Sequence, residues 1–134
     1  MFAYNERGCD VLCAPVPHEA RVVWTEVYKR REEMIAEFSI VPIGKGESVS
    51  EFVAECIKIV EASRLEYRIN PMGTVVLGDL DQVMSVILKC HKRVMELTPR
   101  AITSIKIDDR KGMKVTLDSK IDSVEKILGR KLKK

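Results

Sequence analysis

Catalysis in this sequence would have to rely on very few suitable side chains. His91 lies four residues after Ile87 and three before Val94, on the apolar side of a helical pattern. No serine, cysteine or carboxylate has a recognisable pairing with it, so a core or interface histidine, hydrogen-bonded through one ring nitrogen, is favoured over a catalytic base. The sequence contains no G-x-S-x-G, P-loop or H-E-x-x-H motif. We therefore predict a protein that is not an enzyme.

A second group of side chains is polar and falls on short predicted strands, where it points to ligand binding. Its members are Glu37, Ser39, Thr74, Ser104 and Lys106, with Tyr67 or Asn70 at the border. Such a face can hold a small polar heteroaromatic ligand by hydrogen bonds and one stacking contact. We expect Glu37 to face a cationic ring or accept from its amino group, and Ser39 and Thr74 to orient it. A polar subunit interface, in which Glu37 pairs with Lys106 on a neighbouring strand, is the alternative.

Two sets of residues have partial metal-ligand character. Cys9, Cys13 and His18 form a C-x3-C-x4-H string, which lacks a matching fourth ligand nearby. Asp108 and Asp109 form an acidic pair at a strand end, where such pairs usually form turns. We predict no metal site and no cofactor.

A hairpin at residues 65–79 is the centre of the predicted fold. Before the corner, Tyr67 and Ile69 alternate with polar residues, and after it Val75 and Leu77 alternate with their neighbours. The corner itself is Asn-Pro-Met-Gly at 70–73, in which the proline cannot donate to a ladder and the glycine tolerates a positive φ. A hairpin alone is marginal in water, so a larger sheet must contain it.

The same periodicities predict the other elements. Strands are expected near 35–42, 66–70, 74–78 and 101–108, and helices near 48–63, 80–97 and 119–129. We expect a capping box between Ser48 and Glu51, a cap at Asp79, another at Ser119 and a stop at Gly129. The order βαββαβ plus a terminal helix predicts an α+β ferredoxin-like sandwich, whose antiparallel four-stranded sheet carries both helices on one face.

The other face of this sheet would be left open. We expect it to carry apolar residues, namely Ile35, Val41, Val76 and Ile102. A small domain does not normally expose such a face, so a partner subunit or the terminal helix should cover it. We therefore predict an oligomer.

Composition excludes several classes of protein. The net charge of +3 on 134 residues is too small to argue for nucleic acid, and the predicted third strand lacks the aromatic platform that RNA binding needs. No apolar run approaches the ~20 residues that span a bilayer, and the first residues do not form a signal peptide. We predict a cytoplasmic protein whose four cysteines are reduced.

Residues 1–33 differ from the rest and form a predicted N-terminal extension. They show no clear periodicity before residue 20, and Pro15 and Pro17 break any element there. The five residues before Met34 can be encoded by purine-only codons, as a ribosome-binding sequence would be, so Met34 is a candidate true start and residues 1–33 need not be native. Expression from Met34 should then leave the melting temperature unchanged.

Several stretches of residues 34–134 closely resemble the small thiamine-binding protein family, known as a conserved domain of unknown function. These stretches are I-x-P-x-G at 40–44, PMGT at 71–74, the Cys90-His91 pair and IKIDDR at 105–110. Before its second strand the family usually has the string S-G-L. Here Arg64 takes the place of that glycine, in the turn that precedes the strand.

The resemblance implies a ferredoxin-like fold and dimers that join into tetramers through their sheets. It also implies that thiamine, or its aminopyrimidine half, is bound rather than converted. The polar face supplies fitting groups, since a thiazolium needs a carboxylate or an aromatic ring beside it. Two other functions remain open: a regulatory module that senses another small ligand or ion, and a purely structural self-associating domain.

Overall fold

The structure, a computed structural model, describes residues 32–133. The predictions for Cys9, Cys13 and His18, and for residues 1–31 of the extension, lie outside this part of the chain. Glu32 already contacts the folded domain, because its carboxylate accepts a hydrogen bond of 3.1 Å from the backbone N–H of Gly112. The contact lies two residues before the predicted start of the domain at position 34.

Seven elements follow one another in the predicted order. They are β1 (Met34–Pro42), α1 (Ser50–Ser63), β2 (Glu66–Asn70), β3 (Gly73–Gly78), α2 (Leu80–Leu97), β4 (Ala101–Asp108) and α3 (Ser119–Leu128). The strands pair antiparallel in the order β2-β3-β1-β4. The predicted ferredoxin-like α+β architecture is therefore confirmed. No helix within residues 32–133 has both the length and the apolar character needed to cross a membrane.

The core lies between one face of the sheet and helices α1 and α2. Alternate residues of β1 point into it, and Met34, Ala36 and Phe38 are at most 3% exposed. The helices contribute their buried stripes, listed as Cys56, Val60, Val83, Val86, Ile87, Cys90 and Val94. Val76 belongs to this core, so its predicted place on the open face is wrong.

The junction between β3 and α2 is short and crowded. Only Asp79 separates the two elements, and its carboxylate accepts a 3.0 Å hydrogen bond from the N–H of Gln82, which confirms the predicted cap. A Cβ at Gly78 would stand 3.0 Å from Leu65 and 3.2 Å from Val83, so only glycine fits there without displacing core side chains. The strand therefore passes directly into the helix.

The predicted capping box at α1 is wrong. The helix begins at Ser50 rather than Ser48, Val49 is the cap residue, and no side chain caps the first turn. Because the cap residue is Val49, one position after Ser48, Glu51 is the second residue of the helix rather than the third, and the Ser48 hydroxyl is hydrogen-bonded to that of Ser50. At α3 the cap residue is Asp118 rather than Ser119, whose hydroxyl instead donates to the Thr116 carbonyl.

Helix α3 ends at Gly129 as predicted, but its packing differs from the prediction. Val124, Ile127 and Leu128 of the predicted apolar face are 46%, 86% and 49% exposed. The buried residue is Glu125, which accepts hydrogen bonds from the Lys131 ammonium and the N–H of Leu132. A helix-period pattern predicted the helix correctly but not which side is buried.

Arg64 ends α1 in a left-handed conformation (φ 60°, ψ 16°), the sole non-glycine residue with positive φ in residues 32–133. This conformation costs a residue with a Cβ roughly 1–2 kcal/mol, which glycine avoids. We predict that Arg64→Gly raises the free energy of unfolding by about 0.5–1 kcal/mol, the gain being reduced by glycine's larger unfolded-state entropy. Urea denaturation measures the change.

Arg64→Ala is the matched control, since it removes the charge but keeps the Cβ. It should not reproduce the gain. If both variants were equally stabilised, the side chain rather than the backbone would be the cause.

Candidate ligand-binding face

The open face of the sheet carries a block of mostly polar residues in two adjacent rows across the strands. The register of the strand pairs places Arg68, Val75, Glu37 and Lys106 in one row. The same register, continued by one pair, places Asn70, Gly73, Ser39 and Ser104 in the next. We call these eight residues the polar patch. It contains four of the six predicted ligand-binding residues: Glu37, Ser39, Asn70 and Lys106.

Glu37 lies at the centre of the polar patch, and its two carboxylate oxygens have different surroundings. Oε2 accepts a hydrogen bond of 3.2 Å from Nζ of Lys106, as the cross-strand alternative predicted. Oε1 lies over Gly73, 3.5 Å from the position that a Cβ would take there. The Glu37 side chain is 39% exposed and that of Lys106 is 82% exposed. Such an exposed pair contributes at most about 1 kcal/mol, so a ligand can compete for the carboxylate.

Two predicted residues lie on the opposite face. Thr74 is the register partner of Phe38 and is 7% exposed against the helices, and Tyr67 packs against the core. The Tyr67 hydroxyl donates a 2.9 Å hydrogen bond to Oε1 of Glu61 on α1, and this acceptor raises the pKa of the phenol. The prediction that Thr74 shares a face with Glu37, with Tyr67 at its border, is wrong, because the strand alternation assigns both to the other side of the sheet.

Four members of the polar patch, namely Arg68, Val75, Gly73 and Ser104, were not among the predicted ligand-binding residues. Ser104 had been placed on the polar face only, and Arg68 was not considered. Gly73 was predicted only as a turn residue, yet it leaves the space beside the Glu37 carboxylate, and a Cβ there would also stand 3.1 Å from the Phe38 carbonyl oxygen. The PMGT sequence, in which the glycine begins a strand directly after the turn, was the signal that could have identified it.

The chain after β4 closes one end of the open face. Arg68 donates a 2.9 Å hydrogen bond to Oδ1 of Asp118, and Lys120 forms an ion pair with Asp108. The bond with Lys120 lowers the pKa of Asp108, and the charge of Arg110 acts in the same direction. The terminal segment thus reaches both edges of the sheet at this end and engages Arg68, the member of the polar patch nearest to it.

Two concave surfaces of the described domain lie away from the polar patch. One, of about 560 Å³, lies between α1 and α2, with Glu55, Lys58 and Arg93 in its wall. These groups already pair with one another at 2.5–2.9 Å, and the pairing lowers the pKa of Glu55. The other, of about 580 Å³, lies at the end of α3 and contains the Lys131–Glu125 pair. Glu55 is held by two cations and Glu125 is 5% exposed, whereas the Glu37 carboxylate has a single ion pair and is 39% exposed, so we place the candidate site on the polar patch.

His91 and the acidic pair at the end of β4 do not form part of this site. Nδ1 of His91 lies 2.7 Å from Oγ1 of Thr103, which joins α2 to β4 on the helix side of the sheet, so the predicted hydrogen bond through one ring nitrogen is present. Asp108 is engaged by Lys120 and Arg110. Among residues 32–133, no three His, Cys, Asp or Glu side chains come together as metal ligands would.

The comparisons with known proteins agree on one family. The model of the thiamine-binding protein family matches residues 36–125. The chain is 37% identical over 92 residues to the UPF0045 protein MJ1052 of Methanocaldococcus jannaschii, covering 69% of this chain and 92% of that protein. It is 40% identical over 100 residues to the UPF0045 protein YqgV of Bacillus subtilis, covering 70% and 96%.

Solved structures show the same fold. The crystal structure of MJ1052 superposes with a TM-score of 0.66 at 36% identity, over 69% of this chain and 96% of that one. A Thermotoga maritima protein, whose name connects it with thiamine biosynthesis or salvage, gives a TM-score of 0.61 at 17% identity, over 69% and 98%. At that identity the likeness concerns the fold alone. From the family match and the UPF0045 relatives, we conclude that this chain belongs to the thiamine-binding protein family.

Proposed function

We propose that this protein binds thiamine, or a ligand with its aminopyrimidine half, on the polar patch and does not convert it. The observation that carries the proposal is the half-exposed carboxylate of Glu37 at the centre of the open sheet face. Membership of a family named for thiamine binding supports the ligand class. The role would be salvage, transport or regulation in the cytoplasm.

The groups of the polar patch suit both halves of thiamine. Ser39, Ser104 and Asn70 offer hydroxyl and amide groups that donate and accept, as an aminopyrimidine requires. Glu37 can accept from the exocyclic amino group or neutralise the thiazolium, which must not be buried unpaired. Tyr67 lies on the other face of the sheet and offers no aromatic contact here, so the proposal rests on hydrogen bonds and charge.

Lys106 would have to move when a cationic ligand approaches Glu37. Its ammonium is bonded to the same carboxylate, but its side chain is 82% exposed and keeps the freedom to turn into solvent. Because breaking so exposed an ion pair costs little free energy, the cationic ligand can take the place of the Lys106 ammonium beside Glu37. Because added salt screens the Lys106–Glu37 pair as well as the ligand contact, we expect the affinity to change little with ionic strength.

Thermal-shift measurements test the proposal directly. Thiamine, its aminopyrimidine, nucleotides and divalent ions are each added to the full chain. A ligand at 100 times its Kd adds about 2.7 kcal/mol to the free energy of unfolding, which is a rise of many degrees for a domain of this size. We expect thiamine or the aminopyrimidine to give this rise.

The other functions have different outcomes in the same screen. A response to a nucleotide or an ion alone would favour a regulatory module, and no response at all would favour a structural domain. Either result would contradict thiamine binding.

Self-association is the second part of the proposal. The polar patch is an open surface, and beyond it Val41 and its register partner Ile102 are 44% and 51% exposed. A second copy laid sheet to sheet would cover these apolar groups and enclose the ligand. We propose a dimer formed in this way, and a tetramer built from two dimers.

Ile102→Glu should dissociate this assembly. A carboxylate in the centre of an apolar contact would be buried without a partner, which is strongly unfavourable. Light scattering coupled to size exclusion should show a smaller particle than for the wild type. Ile69→Glu is the matched control, since Ile69 is 53% exposed but belongs to the other face. Equal masses for wild type and Ile102→Glu would contradict the sheet-to-sheet interface.

A further inference from the structure

Two thiols face each other inside the helix layer, away from the polar patch. Cys56 of α1 and Cys90 of α2 are both free and are 7% and 0% exposed. Sγ of Cys90 lies 3.5 Å from the carbonyl oxygen of Cys56, to which its S–H donates a hydrogen bond. This contact between a thiol of α2 and the backbone of α1 requires the two helices to lie close together at these residues. A disulfide between them would require the same.

The two thiols are chemically unequal. The neighbouring Cys90 thiol lowers the pKa of Cys56, whereas the Cys56 thiol and burial raise the pKa of Cys90. Cys56 is also the thiol with some exposure to solvent. An attacking thiolate and a resolving thiol differ in this way.

We propose that Cys56 and Cys90 form a modification site, at which a low-molecular-weight disulfide oxidises them to an intramolecular disulfide linking α1 to α2. Packing of two thiols as small hydrophobic groups is the alternative, and it requires no reaction between them.

The reaction has two steps. The Cys56 thiolate attacks one sulfur of the small disulfide, whose S–S bond breaks and releases one thiolate, which takes up the proton that Cys56 lost. Cys90 then loses its proton and attacks Sγ of Cys56, which releases the second small thiol. Two cysteine thiols are oxidised to one disulfide, and the small disulfide is reduced to two thiols.

The disulfide would change the protein's stability. It closes a loop between positions 34 residues apart and so restricts the unfolded chain. We expect the melting temperature to rise by several degrees on oxidation and to return on reduction.

The experiment exposes the full chain to oxidised glutathione without denaturant, followed by alkylation, trypsin digestion and mass spectrometry. Trypsin places Cys56 in the peptide 46–58 and Cys90 in the peptide 90–92. We expect these two peptides to be joined, at two hydrogens below the sum of their masses, and native circular dichroism to be retained. If the two peptides were joined only in denaturant, or were not joined at all, the proposal would be overturned.

Two variants complete the test. Cys56→Ala should form neither the linked peptide nor the temperature shift, and any remaining shift would overturn the assignment. Cys9→Ser/Cys13→Ser removes the other two cysteines and should give the same linked peptide as the wild type. If Cys56 or Cys90 were instead found joined to Cys9 or Cys13, the pair would not be the modification site.

Discussion

Ile87→Ala should lower the free energy of unfolding by about 2–5 kcal/mol, the range found for large aliphatic side chains truncated in a core. Ile87 is 1% exposed and lies in the cluster where α2 meets the sheet. Its loss removes buried apolar contacts and leaves a cavity that the surrounding strands and helices can fill only in part. Denaturant titration followed by circular dichroism measures the change.

The adjacent residue offers a matched control. Leu88 is 51% exposed on the same helix, and Leu88→Ala removes a group of the same size. We expect a loss below about 1 kcal/mol, because little apolar surface is withdrawn from a packed environment. A comparable loss for both variants would show that Leu88 is buried in solution, most simply by another subunit.

Glu37→Gln should weaken thiamine binding by tenfold or more, which corresponds to about 1.4 kcal/mol. The substitution keeps the shape of the side chain and removes the charge that would face the thiazolium. It also leaves Lys106 without its anionic partner, so a cation stays next to the ligand. Isothermal titration calorimetry measures the affinity, and the melting temperature without ligand should hardly change.

Glu61→Gln is the corresponding control. Its carboxylate lies on the helix side of the sheet and bonds to the Tyr67 hydroxyl, so its loss should not alter affinity. Unchanged affinity in Glu37→Gln, or the same decrease in both variants, would remove Glu37 from the site. If the wild type did not bind thiamine, the proposal that thiamine is the ligand would be wrong instead.

The fold was predictable because hydrophobic period and turn residues agreed along the domain. Ala36, Phe38 and Ile40 alternate with polar residues, so a single periodicity gave both the strand and its buried face. The first residue of helix α1 was not predictable in this way. Ser48 and Glu51 have the spacing of a capping box, but a spacing does not determine the residue at which the first turn starts.

The site was only partly predictable for a related reason. On β3 both faces carry apolar residues, with Val76 on one and Val75 and Leu77 on the other, so composition does not show which set meets the helices. The register with β1 decides, since Thr74 pairs with Phe38 and therefore shares its buried face. A long-range hydrogen-bond register cannot be inferred from a single sequence. On β1 and β4 the polar residues alternate clearly, and there Glu37 and Lys106 were placed correctly.

The short β3–α2 junction has a consequence for protein engineering. Because Gly78 has no space around it and Asp79 is the whole connection, a peptide inserted here would separate a core strand from its helix. The segment around Gly44 and Gly46 is the opposite case, since both glycines have open space beside them. A fluorescent reporter or an affinity tag placed between these two glycines should leave the sheet and both core helices intact, and would give a labelled protein for the binding measurements.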